Sequence, residues 1–341
     1  MAVPPTRVQL SAPPRVNDRG ASSWPPLDAA VSPFGVGKPD APRTGAVAAV
    51  GAAVAESTRV RLAPATTMLV RPGYAIQFGV DATRAGVLEL GRPELMAGTL
   101  RALHGARQPG PAAELVRRLT LAGLTGPAAA SVVEDLLAFR ILEVVPAVRP
   151  SVAVLGQGKL AVLVAELLSQ EDLTVRVPLP GERPALFLAR CSGGVTIGVD
   201  MLARGPILAA PVIRRGGSYL PVTAFDGRGI IGPLRVAGQV PCPLCVDLQA
   251  ARADADWRHV MAQLPTGPGD SPAALRHLVA ARAVGLAGRL ARVEYPDASG
   301  SPPAAGQVIE LSPTAGEQHR HLEPEPTCPA CWEHARGGTT S

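Results

Sequence analysis

The stretch Ser151-Val152-Ala153-Val154-Leu155-Gly156-Gln157-Gly158-Lys159-Leu160-Ala161-Val162-Leu163-Val164-Ala165-Glu166-Leu167-Leu168 decides the fold. Its first five residues are a near-continuous apolar run, the pattern of a strand buried on both faces of a parallel sheet. Two glycines interrupt the run, and an apolar helical pattern over 160–168 follows at once. Residues 173–177 read as a second strand. Strand, glycine turn, helix and strand together open a Rossmann-type α/β unit. The turn matches G-x-G-x-x-G/A from Gly156 to Ala161, in the strand-to-helix setting that gives this motif meaning. Amides at the helix start can hold a phosphate, so Gly156, Gly158 and Lys159 are the candidate cofactor-binding residues. A nucleotide site also needs an acid near the end of the second strand for the ribose. That strand ends Arg176-Val177-Pro178, with Asp172 before it and Glu182 beyond the turn, neither well placed. Either the turn works, or its glycines only permit close helix–sheet packing. The missing acid favours a vestigial turn, with ATP not an expected cofactor.

Downstream, 186–189 and 206–212 read as later strands, 272–291 as a long helix, and 298–306 as a Pro/Gly/Ser-rich loop. Five cysteines occur, none before Cys191. Four make two C-x-x-C knuckles, Cys242-Pro243-Leu244-Cys245 and Cys328-Pro329-Ala330-Cys331. Each knuckle presents two thiolates from one tight turn, and two knuckles complete a tetrahedral four-sulfur site that suits Zn2+. Cys242, Cys245, Cys328 and Cys331 are therefore candidate ligands of a structural zinc, with no position left for water. A redox pair, which opens a helix after a strand, and four unrelated buried thiols are the other readings. Cys191 reads as a small buried hydrophobe, with a catalytic thiol as the alternative. No catalytic residue is assigned.

Upstream, 65–146 reads as a small helical domain with a β rim. A strand at 75–80 follows the turn Arg71-Pro72-Gly73, and 86–90 is its hairpin mate. Three amphipathic helices are expected over 93–104, 112–122 and 127–140, where apolar residues recur every three or four positions. A closing strand is expected at 141–145. The set suggests a winged-helix-like module. Residues 1–62 carry repeated Pro-Pro pairs and an Ala-rich run without periodicity. They read as a disordered arm, as do 336–341 as a tail.

The chain has 341 residues, room for two domains, with 47% hydrophobic, 18% charged and 3% aromatic residues, so its cores are aliphatic. The formal net charge of +5 comes from 33 basic and 28 acidic residues interspersed along the chain, which argues against a nucleic-acid partner. Charges break every long apolar stretch, so no membrane span is expected. The first ten residues lack an apolar signal core, so a cytoplasmic location is expected, without disulfides.

Taken together, the glycine turn, the knuckles and the block Ile231-Gly232-Pro233 … Cys242-Pro243-Leu244-Cys245-Val246-Asp247-Leu248 … Asp256-Trp257 resemble the ThiF/MoeB superfamily of ubiquitin-activating-like adenylating proteins. The order of winged-helix-like module, Rossmann turn and terminal C-x-x-C is most similar to the ThiF-like cyclodehydratase components of thiazole/oxazole-modified peptide (bacteriocin) clusters. The resemblance spans about residues 65–332. It implies an α/β fold in which a winged-helix-like peptide-recognition module, 65–146, precedes a ThiF-type Rossmann domain with a zinc site, 150–335.

The resemblance also implies a function. The N-terminal module would take a precursor's leader peptide as an added β-strand, in a groove carried here by Ala75, Ile76, Gln77 and Phe78 on the strand and Val133 and Leu137 on the third helix. An exposed strand edge can do this through backbone hydrogen bonds. A plain packing or dimerisation module is the other reading. DNA binding is disfavoured, because 126–142 carries one basic residue, Arg140, against Glu134 and Asp135. The expected protein is a non-catalytic scaffold that presents the peptide to a YcaO-type ATP-dependent cyclodehydratase. A homodimer is a second expected assembly, since superfamily relatives often pair. The alternative is an ATP-dependent adenylyltransferase that activates the C-terminus of a small carrier protein. Adenylating relatives carry an Arg, a Lys and an Mg2+-binding Asp, for which only Lys159, Asp200, Arg204, Arg214 and Arg215 are on offer.

Overall fold

The computed structural model describes residues 10–11, 58–80, 86–191, 194–264, 271–291 and 303–332. The chain divides into two compact units, Met1–Ala147 and Val148–Ser341.

In the first unit, β1 is Leu10–Ser11 and β2 is Arg59–Leu62. β3 (Met68–Arg71), β4 (Ala75–Phe78) and β5 (Gly86–Glu89) follow as antiparallel neighbours; the β4–β5 hairpin is the expected one, and β3 adds a strand that was not expected. The sheet order is β1-β5-β4-β3. Three helices come next: α1 (Pro93–Gly105), α2 (Ala112–Leu121) and α3 (Gly126–Ala138). The short β6 (Gly110–Pro111) flanks β2, and β7 (Leu142–Val144) closes that second sheet in the order β6-β2-β7. The 3.6-residue pattern read from the sequence is the buried face: Leu95, Leu103, Leu115, Leu119, Val132 and Leu136 share one core with Ile76, Leu88 and Leu142. Each such side chain stabilises by about 1.5–3 kcal/mol on burial. The expected arm ends earlier than its composition implies. Val60 and Leu62 alternate inward from β2 and are 2% exposed, so the last residues of 1–62 are core, and Leu10–Ser11 pair with β5. The rest of the arm, including its Ala-rich run, lies outside the described residues, as does the 336–341 tail.

The second unit is mixed α/β. β8 (Ser151–Leu155), α4 (Lys159–Ser169) and β9 (Thr174–Arg176) form the expected opening. Two expected strands are instead helices, α5 (Pro184–Arg190) and α6 (Gly205–Arg215). The reason is local: Pro184 and Pro206 stand in the first helical turn, where a missing N–H costs nothing and the fixed φ suits a helix. The strand between them is β10 (Val195–Val199), all five residues buried. β11 (Ser218–Phe225) and β12 (Arg228–Ile231) follow, then α7 (Pro243–Ala253), α8 (Trp257–Ala262) and α9 (Ala273–Ala291). The hairpin β13 (Gln307–Ser312) and β14 (Gly316–His321) completes the unit. Most of the expected 298–306 loop is outside the described residues.

The seven strands run in the order β14-β13-β12-β11-β10-β8-β9. β9, β8, β10 and β11 are parallel, and β12 to β14 add antiparallel. Alternation along the parallel strands feeds two cores. Val152, Val154, Leu220 and Val222 face one cluster with α4 and α9, through Val164, Leu168, Leu275 and Val279. Ala153, Leu155 and Tyr219 face the other, with Phe187, Leu188, Leu208 and Val212 of α5 and α6. Burial on both faces is what a continuous apolar run demands. Among the described residues no helix is long and apolar enough to cross a membrane.

Candidate functional site

The two knuckles meet. Cys242 is the N-cap of α7 and Cys245 lies in its first turn, with Cys245 N–H donating to the Cys242 carbonyl at 3.0 Å. Cys328 likewise precedes a helical turn over 329–332, closed by Trp332 N–H on the Cys328 carbonyl at 3.0 Å. Proline follows the first cysteine in both, which starts a turn without wasting a donor. The four sulfurs lie within 4.8 Å of one another, three of the residues buried and Cys331 half-buried. Cys242 and Cys245 are 3.8 Å apart, Cys242 and Cys328 3.6 Å, Cys245 and Cys331 3.5 Å. Those separations exclude disulfides. With metal–sulfur bonds of about 2.3 Å, a tetrahedron has edges of about 3.8 Å, so the cluster can hold one metal ion. Among the described residues no other group of three or more His, Cys, Asp or Glu does so.

Crowding the sulfurs splits their acidities. A hydrogen bond to Cys245 holds the Cys242 thiol well above its usual value, while bonds from Cys242 and Cys331 pull Cys245 well below it. Adjacent like charges repel, so crowding opposes ionising these thiols together. A divalent cation lifts that limit, since all four thiolates then bind it. Two helical N-termini aimed at the cluster favour the same negative charge.

Sequence reasoning missed Arg235. It lies just upstream of the first knuckle, its backbone bridged to Tyr219, and it is 1% exposed. Its Nε and both terminal nitrogens are buried with no hydrogen-bond partner. Burial lowers its pKa, and Cys331, Cys242 and Cys245 pull it back up. The readable signal was a lone charge inside the apolar run Pro233-Leu234-Arg235-Val236. The rest of the block has a plain reason for its spacing. Trp257 Nε1 donates to Asp247 Oδ1 at 3.1 Å, tying α8 to α7. Asp247, Trp257, Cys242, Tyr219 and Phe225 border a cavity of about 310 Å3.

In the glycine turn, Gly156 meets a packing need. Gly158, at φ +97°, caps α4, and Gly156 sits at φ +145°. A Cβ on Gly156 would lie 2.7 Å from the Val199 carbonyl oxygen, so the residue lets β8 end against β10. The carboxylates that flank β9 in the sequence are ion-paired, Asp172 with Arg149 at 3.8 Å and Glu182 with Arg190 at 2.7 Å. Asp200 follows β10 and accepts a 2.9 Å bond from Thr223. Arg215 Nε donates to the carbonyl of Cys191, itself buried in the α5–α6 core.

The expected peptide groove needs correction. β4 is paired on both sides, by β3 and β5, so no strand can add to it. Its Ala75, Ile76, Gln77 and Phe78 are all buried, and Val133 of α3 is 2% exposed within the same core. Leu137 is partly buried against that core. Flanking strands, rather than the apolar run of β4, carry the outer edges. Leu90 N–H donates to Tyr74 in β4's direction, so by alternation Val87 N–H faces outward, where Leu10–Ser11 pair.

The fold is similar to that of two solved heterocyclases. One, solved as a heterocyclase in complex with substrate and cofactor, matches at TM-score 0.52 and 14% identity over 80% of this chain. The other, the heterocyclase TruD, matches at TM-score 0.50 and 16% identity over 80%. The chain spans about two fifths of their length, 39% and 43%. Escherichia coli MccB with ATP matches at TM-score 0.43 and 11% identity, covering 80% of this chain and 99% of MccB, too distant a likeness to weigh. No family model matches, and no curated protein does.

Proposed function

We propose that this chain is a ThiF-like scaffold that binds a precursor peptide by its leader and presents it to a YcaO-type ATP-dependent cyclodehydratase in azole-modified peptide biosynthesis. The fold likeness to heterocyclases supports the setting. The peptide-binding part is carried by one observation: the outer edge of β5 accepts an extended segment, Leu10–Ser11, as an antiparallel strand. A leader that displaces Leu10–Ser11 can pair with the same edge, with affinity from main-chain bonds. On this reading 65–146 is a winged-helix-like recognition module and 150–335 a ThiF-type Rossmann domain. Cys242, Cys245, Cys328 and Cys331 hold structural Zn2+, the ion that four thiolates in a closed tetrahedron select. The ion supplies a cross-link and no chemistry. The cytoplasm, where thiols stay reduced, suits the site.

Capture of an immobilised leader-type peptide tests the reading. Val87→Pro removes a donor on the outer edge of β5 and leaves the β4 ladder intact. Val70→Pro does the same to the outer edge of β3, whose Leu69 partners Gln77 inward. Loss with Val87→Pro and retention with Val70→Pro is the expected result. Capture indifferent to both ends the strand-addition reading. The rival adenylyltransferase predicts calorimetric binding of ATP–Mg2+ that Gly158→Asp abolishes; the scaffold predicts none.

A further inference from the structure

We propose that Arg235 is the built-in counter-charge of the cysteine cluster, a positioning residue that holds the thiolate-bound divalent cation in place. The proposal rests on the zinc reading above. Arginine stays protonated in proteins, and an ionised group moved from water into an unpaired buried site costs several kcal/mol. Arg235 has that problem in full: it is 1% exposed and none of its side-chain nitrogens has a hydrogen-bond partner. The groups whose charge favours its cationic form are Cys331, Cys242 and Cys245, three of the four sulfurs in the cluster. Four thiolates around one divalent ion carry a net charge of two minus. A cation placed beside them without bonding any sulfur lowers that charge, and the anionic centre in turn makes the buried guanidinium tolerable. Each side is costly alone and the two are stable together.

This predicts opposite effects on the metal-bound and metal-free protein. Full-length wild type, Arg235→Met and Arg235→Lys are each loaded with Zn2+ and titrated with a chromogenic chelator, then loaded with Co2+ for absorption spectra. Arg235→Met should weaken Zn2+ about ten- to a hundredfold, the usual loss when a group supporting metal ligands is removed. The same change should leave the metal-free protein as resistant to urea or more so, because an unpaired buried charge has gone. The thiolate-to-Co2+ charge-transfer band should move to longer wavelength, since electron-rich sulfurs give up charge more easily. Arg235→Lys should restore most of the affinity. A role in packing alone would lower the stability of both forms and leave the band in place, and that result overturns the proposal. Wild-type Zn2+ affinity in Arg235→Met overturns it too. Should Arg235→Met not fold, Arg235→Gln is read by the same criteria. A wild type that binds neither Zn2+ nor Co2+ overturns the zinc reading itself, an outcome distinct from an intact metal site indifferent to residue 235.

Discussion

Removing the metal should melt one unit of this protein and spare the other. The Cys242–Cys328 and Cys245–Cys331 contacts each join residues 86 positions apart. A cross-link closing a loop of that length removes about 4–5 kcal/mol of chain entropy from the denatured state. That corresponds to roughly three powers of ten in the unfolding equilibrium. For a unit the size of Val148–Ser341 each kcal/mol moves Tm by about 2–4 °C, so chelation should lower its midpoint by roughly 10–20 °C. The figure is a floor, because metal–sulfur bonding adds to it. Met1–Ala147 contains none of the four ligands. Differential scanning calorimetry of the full chain, with and without a zinc chelator, should therefore show one transition falling while the other stays. Cys328→Ser should reproduce the fall without chelator. If both transitions stay within a few degrees, or both fall together, the cross-link account is wrong.

Other perturbations follow from the packing. A Cβ on Gly229 of β12 would lie 2.0 Å from Val279 Cγ2 of α9, so Gly229→Ala should cost about 1–3 kcal/mol by overpacking. Adding Val279→Ala should recover part of that loss, and a urea double-mutant cycle should show coupling above about 0.5 kcal/mol. Thr125 caps α3 through a long 3.4 Å bond from Ala128 N–H, so Thr125→Ala should cost about 0.5 kcal/mol, the low end for a cap. Bonds from Arg117 and Arg118 hold the Glu114 carboxyl down at about 2. A depressed acid stabilises above its unfolded pKa and stops doing so as pH falls through the folded one. An NMR titration should thus place the Glu114 midpoint near 2, and Arg117→Ala with Arg118→Ala should return it toward 4.5.

Elements with a pattern of their own were legible in the sequence, and elements defined by their neighbours were not. The opening β8–turn–α4 unit and helices α1 to α3 announce themselves, because glycine punctuation and a 3.6-residue stripe are local facts. The cysteine cluster was legible for the same reason: spacing within each knuckle names its partner chemistry. Residues 186–189 and 206–212 were not, since a short apolar run fits a buried strand or a buried helix equally. The prolines at 184 and 206 decided it. β10 was hidden by Gly198, a poor strand former that is there because a Cβ would strike the Tyr219 hydroxyl. β14 shows no alternation to read, all six residues being exposed. Which edge of a sheet stays open is also beyond local pattern. Ala75 to Phe78 were given the docking role by the resemblance, and no local pattern announces that this strand lies in the middle of its sheet, buried at all four positions.

That same contrast gives the proposed metal a structural purpose at this place in the fold. β13 is packed into the core through Ile309 and Leu311, but the chain beyond it is weakly held by packing. β14 is exposed along its length and fixed by register with β13, with Arg282–Glu317 and Arg320–Glu310 pairs of 2.7 Å on its surface. Exposed pairs of that kind are worth about 0–1 kcal/mol each. Beyond it, among residues 322–332, only Glu325 and Cys328 are buried. Glu325 accepts from nearby Thr327 and pairs with the exposed Arg252 of α7. An apolar anchor strong enough to hold this segment would need several large side chains, and the segment offers two, Leu322, which is half-buried, and Trp332, which is 58% exposed. Four sulfurs on a shared cation achieve the same fixation with side chains small enough to fit between α6 and α7. On the proposed reading Arg235 follows from the same arrangement: a charged cross-link replaces a hydrophobic one, and the charge needs an answer inside the protein.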